Sequence, residues 1–179
     1  TPGNGVTIER RHHATFAPFV DNEGYLDLAA LLESDTVKTG IVAERSYGPT
    51  IDKILRSTSL PDNLILHYGN AAVGSMLQME RLDRFQALIS YWPEARYHAQ
   101  QQGIPLEELE FFPVRGAPKY QFAHFGCSKT DKGRAAIEII NREMRTLRTT
   151  ELVSFYSEWM VDKQQYLRDA KTFFDEAEH

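Results

Sequence analysis

The stretch "GIVAERSYGPTID" (40–52) begins as an apolar strand and ends as the first turn of a helix. At the handover stand four consecutive residues able to hydrogen-bond, Glu44, Arg45, Ser46 and Tyr47. Helix N-termini attract anions, because their first amides are unpaired and the macrodipole is positive there. Arg45 and Ser46, just ahead of Pro49, suit a carboxylate or phosphate; equally, Ser46 or Tyr47 caps the turn while Arg45 points to water. From the residues alone the two readings stand level.

Other stretches carry reactive residue types without the spacing that chemistry needs. "ERRHH" (9–13) offers metal ligands, but adjacent histidines on an extended segment point to opposite sides and no second ligand cluster joins them. We read it as solvated linker. His67, His98 and His124 are single and scattered, as packed or surface histidines are. Cys127, with His124 nearby, has the types of a nucleophile and base, yet no third group orients them. We expect a small buried side chain at a strand end instead. "YGNAAVGS" (68–75) has two glycines but not the spacing of a phosphate-cradling loop. "SYW" (90–92) is either a core edge or the aromatic wall of a pocket, and the aromatics of "FYSEWMVDKQQYLRDAKTFF" (155–174) read as ordinary packing rather than a partner-binding helix. No catalytic constellation emerges.

The elements that must position these residues follow from periodicity and punctuation. Residues 1–20 show no clean period and read as an extended linker, with a short strand at Val6–Glu9 at most. A short helix is expected at 26–33, where Leu26, Ala29, Ala30 and Glu33 keep helical spacing. Strands are expected at 37–43, 63–68 and 85–91, and helices at 49–57, 70–82 and 93–103. Pro49 and Pro93 stand in first turns, where a missing N–H costs nothing, and Asn70 is a good N-cap. "LEFFPV" (109–114) and "YQFAHFGC" (120–127) read as further strands. From Thr130 the chain reads as helix in three pieces, broken near Thr149–Thr150 and Val161; Ile137, Ile140, Met144 and Leu147 give the first piece an apolar stripe.

Alternation of strand and helix through the middle implies a parallel sheet covered by helices, with right-handed crossovers. In such sheets ligands bind beyond the carboxyl ends of the strands. The loops there are Glu44–Gly48, Tyr68–Asn70 and Ser90–Pro93, all bearing polar or aromatic residues.

Bulk composition narrows the classes. With 179 residues, 42% of them hydrophobic, the chain can bury a core without a disulfide staple. A net charge of −5 argues against nucleic acid as a partner, because phosphate contacts demand surplus Lys and Arg. No apolar run approaches the ~18 residues of a membrane span. The one cysteine excludes an internal disulfide. No initiator methionine or signal-like segment opens the chain, and a start of Thr-Pro-Gly reads as cut from something longer.

Taken in order, several stretches resemble the family-3 extracellular solute-binding proteins, the periplasmic receptors typified by amino-acid ABC-transporter components. "GYLDLAALLESDTVKTGIVAERSYGPTID" is similar to the entry into that family's second lobe. "MLQMERLDRFQALISYWPEA" resembles its helix, "leucine–x–x–glycine–arginine" turn and strand with a ligand contact at the end. "FAHFGCSKTDKGRAAIEIINREMRTLRTTELVSFYSEWM" resembles its C-terminal run. Order and spacing carry the likeness, over nearly the whole chain.

The resemblance implies an α/β, type II periplasmic-binding-protein-like lobe with a parallel-rich sheet flanked by helices, the first lobe largely missing. It divides the chain into a crossover or linker with a short helix (1–33), the second lobe (34–118), and a return strand with C-terminal helices that would pack on the first lobe (119–179). Aromatic helices lacking that surface would favour a homo-oligomer of the fragment. The family's carboxylate-holding residue falls on Ser46, flanked by Arg45 and Tyr47, so that the opening four residues face the cleft. The family's "glycine–serine/threonine–threonine" turn is replaced here by Glu44–Arg45–Ser46–Tyr47. Its ammonium-gripping aspartate aligns with Tyr91, which carries no formal charge at neutral pH. Arg45, Tyr47, Tyr68 and Tyr91, with Glu44 and Asn70 beside them, would suit a ligand with an acidic group and a planar or apolar body.

The function implied is non-catalytic capture of a small polar or acidic solute outside the cytoplasm, without a cofactor or metal, for an ABC-transporter permease or a sensor kinase. An enzyme on the same two-lobe plan, with Glu44 or His67 as base, would need a strongly perturbed acid or base in the cleft. An effector-binding domain of a transcription regulator would show a DNA-binding segment upstream.

Overall fold

A computed structural model describes residues 3–34, 36–57, 63–69 and 72–177. Two compact units divide the chain, one spanning residues 2–120 and the other residues 121–179.

The larger unit is built on a five-stranded sheet: β1 (Asn4–Glu9), β2 (Thr39–Val42), β3 (Leu64–His67), β4 (Ala87–Tyr91) and β5 (Leu109–Pro113), in the order β3-β2-β4-β1-β5. Its helices are α1 (His13–Phe16), α2 (Leu28–Glu33), α3 (Pro49–Ser57), α4 (Ala72–Arg81) and α5 (Trp92–Gln101). β2 runs parallel to both β3 and β4. β1 lies antiparallel between β4 and β5, so the sheet is mixed rather than wholly parallel. The expected strands and helices of the middle all form, within a few residues of the expected ends.

Side-chain alternation along the strands feeds two cores, one on each face. Val6, Ile8, Ala87 and Ile89 join Leu28, Leu31, Leu32 and Ile51 from α2 and α3 on the first. Leu88 joins Val73, Met76 and Leu77 from α4, and Trp92, Ala95 and Ala99 from α5, on the second. Gly40 leaves room for the second core: a Cβ there would lie 2.6 Å from Met76 Cε and 2.9 Å from Phe85 Cζ, so both side chains would have to shift. Thr7 and Ser90, diagonal neighbours across β1 and β4 in the buried layer, satisfy each other by a 2.8 Å hydroxyl–hydroxyl hydrogen bond.

Three local expectations change. The first segment is an interior strand of six residues, not a linker. Its period is concealed because Thr7 and Glu9, polar residues that suggest solvent, are buried against the second core. "ERRHH" is not extended beyond Glu9: Arg10–His12 form a 3-10 turn and His13 opens α1. Residues 121–128 form no strand, although their aromatics favour one, and Cys127 is exposed rather than buried. β-propensity measures the fit to a neighbouring strand more than an intrinsic preference.

The smaller unit holds α6 (Asp131–Leu147), α7 (Glu151–Ser157) and α8 (Lys163–Ala177). Thr130 caps α6, its hydroxyl oxygen accepting the Gly133 N–H at 3.1 Å. α6 buries only Gly133. Phe122, Phe125, Ile139, Phe155, Val161 and Phe173 are exposed. Thr149, Val153, Leu167, Ala170, Lys171, Phe174 and Asp175 line an open groove of about 450 Å³ within this unit.

Candidate functional site

The carboxyl ends of β2, β3 and β4 share one edge of the sheet, and antiparallel pairing brings the start of β1 to the same edge, Asn4 opposite Tyr91. Pairing continues one residue past β2, where the Ala43 N–H donates to the His67 carbonyl at 2.8 Å. The chain then reverses at Glu44, whose φ of 61° is uncommon for a non-glycine residue. The turn closes through Gly48 (φ 97°) into α3.

Inside this turn one carboxylate already holds two donors. Asp52, in the first turn of α3, accepts the Ser46 hydroxyl at 2.6 Å and the Tyr47 N–H at 2.7 Å. A protein carboxylate thus occupies the anion position that the helix N-terminus creates. Tyr47 turns inward: its ring is buried in the first core, and its hydroxyl oxygen accepts the Val42 N–H at 2.7 Å. Burial pushes the Tyr47 phenol up to about 12, so it stays neutral. Asn4 braces the turn from β1, donating from Nδ2 to the Tyr47 carbonyl at 3.2 Å.

Arg45 points across to the start of α5. Its Nη2 donates to Glu94 Oε2 at 2.6 Å, and its guanidinium carbon lies 5.7 Å from the centroid of the Tyr47 ring. The two side chains are 29% and 32% exposed. Glu94 belongs to the first turn of α5, which Pro93 helps to open and where the macrodipole favours an acid. Tyr68 follows β3 and is 68% exposed, while Tyr91 ends β4 and is half-buried. Asn70 lies outside the described residues.

The structure therefore brings Glu44, Arg45, Ser46, Tyr47 and Tyr91 to one edge, with Tyr68 at the end of the strand beside them. Within that group, Ser46 and Tyr47 are engaged internally and Arg45 is ion-paired. Three participants escaped the sequence reading. Asp52 was legible in principle, as an acid in the first turn after Pro49. Glu94 and Asn4 carried no signal, standing 49 residues from Arg45 and 43 from Tyr47.

The opposite edge carries a second cluster. Glu9, His12 and Asp83 place potential ligand atoms within 4.8 Å of one another. Arg11 bridges the two carboxylates, with Nε on Glu9 at 2.7 Å and Nη2 on Asp83 at 2.9 Å, so a guanidinium holds the cation's place. Arg81 joins Glu9 to Glu108. Beneath them Glu80 is fully buried, close to the backbone of Glu9. Burial, reinforced by the charge of Glu9, raises its pKa well above the usual carboxylate range.

No protein-family model matches the sequence, nor does any curated protein. Among solved structures, the periplasmic binding protein XoxJ from Methylobacterium extorquens AM1 is similar, with a TM-score of 0.52 and 13% identity over 94% of this chain and 66% of that one. So is a chain from the structural study of glutathione import in Gram-positive bacteria via GshT and the cystine ABC importer TcyBC of Streptococcus mutans, with a TM-score of 0.53 and 12% identity over 91% and 61%. At such identities the likeness shows the fold: a periplasmic-binding-protein-like α/β arrangement. The chain spans less than two thirds of the length of these proteins.

Proposed function

We propose that this chain is the second lobe and return segment of an extracytoplasmic solute-binding protein of the family-3 kind. Its carboxyl sheet edge contacts a small polar or acidic solute, for delivery to an ABC-transporter permease or for reading by a sensor kinase. One observation carries the reading: the turn after β2 and the first turn of α5, which follows β4 directly, meet through Arg45 and Glu94 at the edge where α/β sheets hold ligands. Tyr68 and Tyr91 flank that pair with aromatic surface at the ends of β3 and β4, as a site for an apolar or planar ligand body requires. The fold shared with periplasmic binding proteins supports the same reading, and so does the presence of a glutathione importer's structural study among the similar structures.

The test is a thermal-shift screen of the protein against amino acids, organic acids, polyamines and short peptides. A ligand that binds only the folded state raises the melting temperature by mass action. We expect a hit, and we expect Arg45→Ala to weaken it while shifting the unliganded melting temperature little. Silence across the whole library, or unchanged affinity in Arg45→Ala, overturns the assignment of this edge.

A further inference from the structure

Three segments converge on one carboxylate at the edge where β4 begins. Glu9 ends β1. Arg11, from the turn after it, donates to Glu9 Oε2 at 2.7 Å, and Arg81, at the end of α4, donates to Glu9 Oε1 at 3.3 Å. Each guanidinium reaches on to a second carboxylate. Arg11 holds Asp83 by two bonds, at 3.1 and 2.9 Å, and Arg81 holds Glu108 at 2.8 Å. His12 Nε2 also lies 3.1 Å from Asp83 Oδ1. Asp83 has a φ of 54°, a left-handed conformation uncommon outside glycine, so these contacts hold the α4–β4 turn in a shape that its backbone disfavours.

Glu80 stands behind this network, fully buried in the last turn of α4. Glu9 repels a charge there and Arg11 attracts it. The remaining elements around α4 supply no cation to it. β2 and β4 carry no charged residue, α5 meets α4 near its start, where His98 borders Gly74, and on β5 Glu110 is paired with His13 at 2.8 Å. Glu107, beside Glu108 ahead of β5, is exposed. Two guanidinium groups therefore already serve three carboxylates, Glu9, Asp83 and Glu108, before Glu80 could add a fourth.

We propose that Glu80 is a proton-operated latch between α4 and β1. While it is protonated, Arg11 and Arg81 stay on Glu9 and tie the end of β1 to Asp83 and Glu108. Once the proton leaves, the new charge beside Glu9 draws an arginine off its outer partner, and the turn at Asp83 comes free. Both arginine side chains reach solvent, so either can swing without opening the core. The exchange runs in that direction because an exposed ion pair is cheap to give up, whereas an unpaired buried charge is not. Burial raises the Glu80 pKa, so the latch is closed at low pH and opens as pH rises through the folded-state value. It operates whatever solute the protein binds.

The amides of Leu82, Asp83, Arg84 and Gln86 are all hydrogen-bonded in the closed turn, so hydrogen exchange reads the latch directly. Exchange of residues 82–86 is followed by mass spectrometry from pH 5 to pH 9, with exchange times scaled for intrinsic base catalysis and β4 of the same molecule as reference. In the wild-type protein, protection of the turn relative to β4 is expected to fall by about tenfold over that range, the change reached one pH unit beyond the folded-state value. Glu80→Gln and Glu80→Met cannot ionise, and each that folds by circular dichroism is expected to show no fall. Constant protection of the wild-type turn overturns the latch. So does the same fall in a folded Glu80 variant, since another group would then be titrating. An equal loss of protection in the turn and in β4 also overturns it, because the whole protein rather than the turn would be opening.

Discussion

At the edge where β2 and β4 end, Arg45 and Glu94 form one partly exposed pair, and the neighbouring turn is closed by Asp52 and braced by Asn4. At the edge where β4 begins, Glu9 has a side chain only 7% exposed and is gripped by both Arg11 and Arg81, which reach on to Asp83 and Glu108. Both edges use the same residue types, and the difference lies in how many partners each charge has and in the burial of Glu9 at the centre of the second network. A network shared around a buried carboxylate is costly to break at that carboxylate, because removing it leaves more than one charge without its partner. An isolated, half-wet pair adds little to stability and can exchange partners. The first arrangement holds the fold, and the second, on the function proposed above, is the one left to meet a ligand.

The sharpest way to break this comparison is to remove a charge at each edge and compare the losses. Glu9→Ala should destabilise the protein by about 2–4 kcal/mol, read by urea denaturation, because two arginines lose a buried acceptor. A loss no larger than that of Arg45→Ala would erase the distinction between the edges.

Glu80 sharpens the comparison through pH. Its folded-state pKa is raised, so the folded form keeps a proton that the unfolded form releases above about pH 4.3. Stability from this group is therefore full below that pH and declines as pH rises toward the folded value. Glu80→Gln should remove the decline, so its melting temperature relative to wild type should improve from pH 4 to pH 8. A flat difference over that range would mean that the buried carboxyl is charged and paired.

Asp52→Ala should cost about 1 kcal/mol, the value of a helix cap, since it frees the Ser46 hydroxyl and the Tyr47 amide. The smallest effect is expected for Arg45→Ala in the absence of ligand, below about 1 kcal/mol by chemical denaturation. If it matched Glu9→Ala, Arg45 would be part of the scaffold rather than of a binding face.

Legibility in the sequence followed the range of the forces involved. β2, α3, β3, α4, β4 and α5 were readable because each is signalled locally, by an apolar period or by Pro49 and Pro93 in first turns. β1 was obscured because its inward polar residues are satisfied by distant partners: Thr7 by Ser90, and Glu9 by Arg81. The strand expected at 120–127 failed for the complementary reason, its aromatics having no adjacent strand to pair with. The same division runs through the candidate site. The position of Arg45 at the end of a strand was visible, but the partner that neutralises it was not, because Glu94 is brought there only by the parallel pairing of β2 and β4. Sequence reading located the turn, and tertiary structure determined which of its donors remain available.

The interior position of β1 also dictates an order of events. Asn4 must find Tyr91, and Gly5 must find Pro113, before the sheet can close. As the chain is made, β1 precedes both of its neighbours, which follow roughly a hundred residues later, so it waits for its partners. Loop-closure entropy is then met before the contacts that repay it, which slows folding. Until closure, the facing edges of β4 and β5 offer unpaired amides and carbonyls to any other strand nearby, so the interval before β1 inserts is when this protein is most exposed to aggregation.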